Sequence, residues 1–346
     1  MTVRCLVMLG ALLMPLPAAA ADNMPSITGL QRNVVFTNYS PLSRSTVLLQ
    51  RLFSPLAAVR LQAALTNSGQ SAREQSIDLA QEKFAVYVPT QAPQQGYALL
   101  VFVPPWEEAT VPQRWMSALD RHGMIFVSAA KSGNDASVLD RREPLALLAA
   151  YNIMQRYPVD AARVYIGGFS GGSRVALRIA LGYPDMFHGA LLDAGSDPIG
   201  DAQIPLPPAA LFHQFQESTR LVYLTGKDDT FHLDQDMHSR QSLQEWCVFD
   251  VRTETMPWTG HEPANPAAVD HALDALIDHA KYDADKLNAC RARIEEELAT
   301  QLQQVEELSA HGKTDDARKL LDGIDAHFGG LAAPRSTELA QKIIAR

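Results

Sequence analysis

One stretch constrains the fold of this 346-residue chain more than any other: Val164-Tyr165-Ile166-Gly167-Gly168-Phe169-Ser170-Gly171-Gly172. An apolar run leads into it and an apolar helical pattern, Gly172–Leu181, leads out. Glycines stand two residues before and two after a serine, the G-x-S-x-G spacing. That spacing predicts a strand over Arg163–Phe169 that reverses sharply into a helix with Ser170 at the apex. Side chains at 168 and 172 would collide in such a turn, and the apex residue sits in a strained backbone conformation. The turn would lift the Ser170 hydroxyl above the carboxyl end of a sheet. The amide of Gly171, opening the helix, would face negative charge developing on an attacked carbonyl.

The surrounding pattern agrees with a parallel sheet. Tyr97–Val103 (YALLVFV) and Met124–Ala129 (MIFVSA) are continuous apolar runs, as expected of strands buried on both faces. Short strands are also predicted at Ile77–Leu79, Phe84–Val88, His188–Leu192, Leu221–Thr225 and Val248–Thr255. Helices are predicted at Gln113–His122, Pro144–Tyr157 and Leu233–Trp246. Strands alternating with helices imply an α/β fold with helices on both faces of the sheet. Residues 22–75 read as a mainly helical lead-in, and 76–282 as the α/β domain. From residue 283 to 346 the strand signal is gone. Leu287–Ala310, Thr314–Phe328 and Ser336–Ile344 read as helices broken at Gly312 and Gly329-Gly330. One such hairpin cannot bury its own apolar face, so this small all-helical appendage should pack on the main domain.

Residues 1–21, MTVRCLVMLGALLMPLPAAAA, have one early charge, an apolar run from Cys5 to Met14 and a small-residue end. This is the layout of a cleaved export signal, and the run is shorter than the roughly 20 residues that span a bilayer. A periplasmic or secreted location follows as the expectation, with no membrane attachment after cleavage. Cys247 and Cys290 then remain; in an oxidising compartment they either pair or stay as two buried thiols, and spacing does not choose between these. The net charge of −9 and the lack of any basic run exclude nucleic acid as an expected partner.

A serine hydroxyl needs a base held by a carboxylate. His261, in Met256-Pro257-Trp258-Thr259-Gly260-His261-Glu262-Pro263 directly after the last predicted strand, is placed to reach Ser170. The acid should end the preceding strand, where Leu224-Thr225-Gly226-Lys227-Asp228-Asp229 offers two carboxylates. Asp229 is preferred, because Gly226 lets the chain turn before the carboxylate points back. Asp228 is the alternative and Asp193 a weaker third. One member of the 228–229 pair should be only a turn residue or helix cap. A second oxyanion donor should follow Tyr97–Val103 in Pro104-Pro105-Trp106; proline lacks an N–H, so Trp106 is the first candidate. His232, Asp234, Asp236 and His238 cluster, but read as the solvated face of a helix. With no phosphate loop and no convincing ligand set, neither metal nor cofactor is expected.

With Gly168–Gly172, Asp229 and His261 in that chain order, residues 75–280 resemble the α/β-hydrolase superfamily. The segment Tyr165–Gly195 is most similar to secreted esterases of the poly(hydroxybutyrate)-depolymerase-like and feruloyl-esterase-like group. The resemblance implies an eight-stranded, mostly parallel sheet and a cofactor-free serine hydrolase that cleaves small or polymeric esters through an acyl-enzyme on Ser170. Two departures stand out: Pro104-Pro105-Trp106 replaces a Gly-rich oxyanion loop, and the Pro-rich Gly195–Arg220 segment is too short for a large lid. Two rival readings remain. One is a prolyl-oligopeptidase-like peptidase, though the chain has no propeller-length region. The other is a binding protein that kept the fold without turnover and offers its C-terminal helices to a protein partner.

Overall fold

The computed structural model describes residues 27–69, 73–278 and 283–344. The predicted export signal, Met1–Ala21, lies outside the described residues.

The apolar runs build the centre of a sheet. All seven residues of Tyr97–Val103 (β3) and all six of Met124–Ala129 (β4) are buried. Side chains alternate across a strand, so Leu99, Val101 and Val103 join one core layer, and Ala98, Leu100 and Phe102 the other. Each large side chain so buried contributes about 1.5–3 kcal/mol before entropy is counted. The other strands are β1 (Gly29–Val34), β2 (Phe84–Val88), β5 (Val159–Phe169), β6 (Gly189–Asp193), β7 (Arg220–Gly226) and β8 (Val251–Met256). The sheet order is β1-β2-β4-β3-β5-β6-β7-β8, with β2 alone running opposite to the other seven strands.

Among the helices, α1 (Ser45–Leu52) and α2 (Pro55–Asn67) precede β2; α3 (Met116–Arg121) joins β3 to β4, and α4 (Glu143–Arg156) joins β4 to β5. Four more follow: α5 (Gly171–Gly182), α6 (Ala209–Ser218), α7 (Thr230–Glu245) and α8 (Pro266–Ile277). Residues of α3 and α8 pack in one layer, and those of α1, α4, α5 and α6 in the other.

One expected strand is replaced by another. The lead-in carries α1 and α2 together with an unexpected strand, β1, which pairs antiparallel with β2 at one sheet edge. Ile77–Leu79 is no strand; Leu79–Gln81 forms a single tight helical turn. The sheet therefore has the expected eight strands with one member exchanged. Helix α6 begins directly after the Pro-rich stretch that ends at Pro208.

The last three helices are α9 (Ala284–Ala310), α10 (Thr314–Phe328) and α11 (Arg335–Ile344). Their apolar stripes, including Leu287, Ile294, Val305, Leu321, Ile324 and Ile343, join the same core layer as α5 and α6. Polar groups fix the seam. Asp325 of α10 accepts hydrogen bonds from the Ser54 hydroxyl and from the Leu56 N–H at 3.0 Å, capping the start of α2 from across the interface. Arg291 donates to Gln216 at 2.6 Å and to Glu217 at 2.7 Å on α6. A disulfide joins Cys247, just after α7, to Cys290 in α9. Among the described residues, no helix is long and apolar enough to cross a membrane.

Candidate active site

The turn between β5 and α5 has the geometry its glycines demand. Ser170 sits at φ 54°, ψ −123°, a conformation that costs a residue with a side chain about 1–3 kcal/mol. A Cβ on Gly168 would stand 2.2 Å from the Gly172 carbonyl carbon, and one on Gly172 would stand 1.9 Å from the Val103 carbonyl oxygen. Any side chain at either position would therefore open the turn or push α5 away from β3.

The loop after β8 brings His261 to this apex. Lys227 N–H donates to Met256 O and Asp228 N–H to Thr259 O, both at 2.9 Å, which ties that loop to the one after β7. The tie passes over Gly226, where a Cβ would meet the Thr259 carbonyl oxygen at 2.2 Å. The result is a continuous hydrogen-bonded line. Ser170 Oγ lies 3.0 Å from His261 Nε2, and His261 Nδ1 lies 2.7 Å from Asp229 Oδ2. With Nδ1 against a carboxylate it must be the protonated nitrogen, which leaves Nε2 to accept from the serine hydroxyl.

Asp229 does more than was divided between the two aspartates. It is buried, it is the N-terminal cap of α7, and its Oδ1 also receives His232 Nδ1 at 2.8 Å. Burial alone would raise its pKa; the hydrogen bonds from His232 and His261 outweigh burial and hold the carboxyl below its ordinary value. Asp228 is exposed in the turn. Asp193 is fully buried beneath the site, with Oδ2 accepting from Ala264 N–H at 2.9 Å and Oδ1 unpaired. Burial pushes its pKa up, which favours the protonated form, and it lies outside the line.

His232 is the site residue that the sequence concealed. It is no solvated helix-face residue: its ring stacks on His261 at 4.0 Å between centroids and 10° between planes. On the other side Phe169 stacks on His261 at 4.8 Å. The His261 ring is thus clamped between two rings, one contributed by the variable position of the elbow motif itself. Asp236 likewise is buried, bound by Thr225 at 2.5 Å and Ser196 at 3.2 Å. Donor atoms of Asp229, His232 and His261 lie within 4.8 Å of one another. Both Asp229 oxygens and both Nδ1 atoms are already committed to the hydrogen bonds described.

Gly171 N–H opens α5, and Trp106 follows Pro104-Pro105 at the end of β3; neither N–H has a hydrogen-bond partner among the described residues. The Trp106 indole instead donates to Thr110 at 3.2 Å and faces Phe169 at 6.3 Å. A cavity of about 520 Å³ opens beside Ser170 and Gly171. A second of about the same volume shares only Leu139 with it and does not include Ser170.

The strand order, the β5–α5 elbow and the loops at the carboxyl ends of β7 and β8 define an α/β-hydrolase fold. No protein-family model and no curated protein matches the chain. Solved structures that resemble it include an S-formylglutathione hydrolase from Staphylococcus aureus (14% identity, 57% of this chain, 93% of that one, TM-score 0.46). A poly(3-hydroxybutyrate) depolymerase from Bordetella parapertussis matches with 15% identity over 60% of this chain and 88% of its own, TM-score 0.41. A putative dipeptidyl aminopeptidase IV from Bacteroides ovatus matches with 14% identity over 58% of this chain, TM-score 0.41; the chain spans only 34% of its length. The fold assignment rests on the strand order and elbow of this chain alone.

Proposed function

We propose that the protein is an exported serine hydrolase that cleaves carboxylic esters through an acyl-enzyme on Ser170. The observation that carries this reading is the line Ser170 Oγ–His261 Nε2–Asp229, at 3.0 and 2.7 Å, on a strained elbow. Ser170 Oγ attacks the ester carbonyl while its proton passes to His261 Nε2. The tetrahedral oxyanion is held by the N–H of Gly171 and of Trp106. His261 then gives the proton to the departing alcohol, which leaves the acyl group on Ser170. A water, deprotonated by the same nitrogen, releases the acid.

Asp229 keeps His261 in the Nδ1–H tautomer and stabilises the imidazolium that forms. His232 is a positioning residue. It occupies the second oxygen of Asp229 and covers one face of His261, so the base can neither flip nor slide between steps. Export is supported by the leader-like composition of residues 1–21 and by the disulfide, a bond that persists in oxidising compartments.

The test is hydrolysis of p-nitrophenyl acetate and butyrate by the wild-type protein and by Ser170→Ala. The expected result is activity in the first and none above background in the second, with unchanged circular dichroism. Equal rates in the two proteins would refute the reading. Aminoacyl p-nitroanilides, run in parallel, separate an esterase from a peptidase.

A further inference from the structure

The cavity beside Ser170 has an unusual electrostatic lining. Arg142, Arg174 and Arg178 contribute to its wall, against one carboxylate, Asp197. Two of the three arginines have anionic partners. Arg174 pairs with Asp197 at 3.3 Å, and Arg178 with the fully buried Glu143 at 2.9 Å. Arg142 does not. It is only 3% exposed, yet its hydrogen bonds go to two carbonyl oxygens, Nε to Ser132 and Nη2 to Pro104, both at 3.0 Å. It has no carboxylate within ion-pair distance among the described residues, and its Nη1 donates to none of them.

A buried guanidinium is ordinarily paired, because desolvating a charge costs several kcal/mol. Burial does pull the Arg142 pKa down, to about 10, with Glu107 and Glu143 acting from farther away in the opposite sense. The group is still charged at neutral pH. Its backbone is set by a widened helical turn, Val138–Arg142, at the entrance to α4. Such turns occur frequently at functional sites. The Pro104 carbonyl that Arg142 binds is two residues before Trp106, so the guanidinium also braces the loop after β3. Val138 and Ile204 add apolar wall to the same cavity.

We propose that this cavity binds a carboxylate carried by the ester substrate, with Arg142 as its principal counter-ion and Arg174 as a second. The substrate class is then an ester of which one half is a carboxylic acid linked through a short apolar segment. That segment lies against Val138 and Ile204 while the scissile carbonyl meets Ser170. The proposal rests on the ester-hydrolase reading and adds substrate charge to it. Arg178 is assigned to the frame, because it holds Glu143. The planar guanidinium suits a carboxylate through two parallel N–H···O bonds, which Arg142 can offer only in part and Arg174 can complete.

Two matched ester pairs test the proposal and report which half carries the charge. Mono(p-nitrophenyl) adipate against p-nitrophenyl hexanoate changes a terminal methyl to a carboxylate in the acyl half. 4-Acetoxybenzoate against phenyl acetate adds a carboxylate to the alcohol half. The expected result is a kcat/KM at least about tenfold higher for the charged member of one pair, expressed mainly in KM. In Arg142→Met the charged-to-neutral ratio should fall about tenfold or more, and in Arg174→Gln less; the Arg174 variant keeps the test open if Arg142→Met does not fold. Binding is measured separately by calorimetry on the Ser170→Ala protein, titrated with adipate and with hexanamide, a neutral chain of the same length. Tighter binding of adipate supports the anion site even if no ester is turned over, an outcome that would count only against the hydrolase reading. Equal kcat/KM within both ester pairs, or binding of adipate no tighter than of hexanamide, would overturn the proposal.

Discussion

The carboxyl edge of the sheet and the C-terminal helices are held by opposite means. At the edge, buried strands and close backbone approaches at Gly168, Gly172 and Gly226 fix three short loops, and the polar groups they carry are left to do chemistry. In α9–α11 the apolar stripes are incomplete by themselves, and the helices are secured to the body by a disulfide, the Asp325 cap and the Arg291 contacts. The first region invests its polar groups in a reaction line, the second in attachment. A substitution at the edge should therefore remove activity and spare the fold, and one at the seam should do the reverse.

The largest expected effect is at the base. His261→Ala should lower kcat/KM for p-nitrophenyl butyrate by about 10⁴-fold or more, with the melting temperature little changed. Asp229→Asn should cost about 10³–10⁴-fold, because an amide no longer enforces the Nδ1–H tautomer. At the seam, Cys247→Ala with Cys290→Ala frees a loop of 43 residues. The chain-entropy relation puts that loss at about 4 kcal/mol of stability, read by urea titration, with kcat unaltered in the folded protein. Asp325→Ala leaves the Leu56 N–H and the Ser54 hydroxyl unpaired and should cost about 2 kcal/mol in the same assay. If either seam change altered kcat while the protein stayed folded, the division between the two regions would fail.

The smallest effect concerns pH. Asp193 has a raised folded-state pKa, so the native protein keeps its proton where the unfolded chain releases it. Its contribution to stability is complete below the ordinary carboxyl pKa and declines as pH rises through the window up to the raised value. Asp193→Asn keeps an acceptor for Ala264 and should flatten the fall of melting temperature as pH rises above the ordinary carboxyl pKa, about 4. Asp229 works in the opposite sense: its pKa is lowered, so its contribution is present above the ordinary carboxyl value and is lost only as acid reaches the lower one. A steeper decline in the Asp193 variant would contradict a raised folded-state pKa at this carboxyl.

What the sequence made legible follows the same division. Strands buried on both faces announce themselves as apolar runs, and the elbow announces itself through glycines that sterics make obligatory. The chain order Ser170, Asp229, His261 could therefore be read from the chain alone. Strand β1 could not, because Gly29–Val34 (GLQRNV) is a half-exposed edge strand with little apolar alternation. Helix α6 follows directly on a proline-rich stretch, whose turn signals mask its start. His232 and Arg142 were hidden for another reason. His232 belongs to a helix of otherwise polar character, and Arg142 to an Arg-Arg pair at a helix entrance. What matters in each is a neighbour distant in the chain: His261 for one, the Pro104 carbonyl and the cavity for the other. Helical periodicity carries no signal for a contact of that kind. Phe169 was visible only as the unspecified position of the motif, although its ring covers His261.

The central claim is that Ser170 is an activated nucleophile, and covalent labelling tests it without any choice of substrate. The folded protein is treated with a fluorophosphonate probe and the adduct is located by peptide mass spectrometry, with His261→Ala alongside. The account predicts one adduct, on Ser170, formed rapidly in the wild-type protein and slowed by orders of magnitude in the variant. An unlabelled Ser170 in folded wild-type protein, or equal labelling rates in the two proteins, would contradict it.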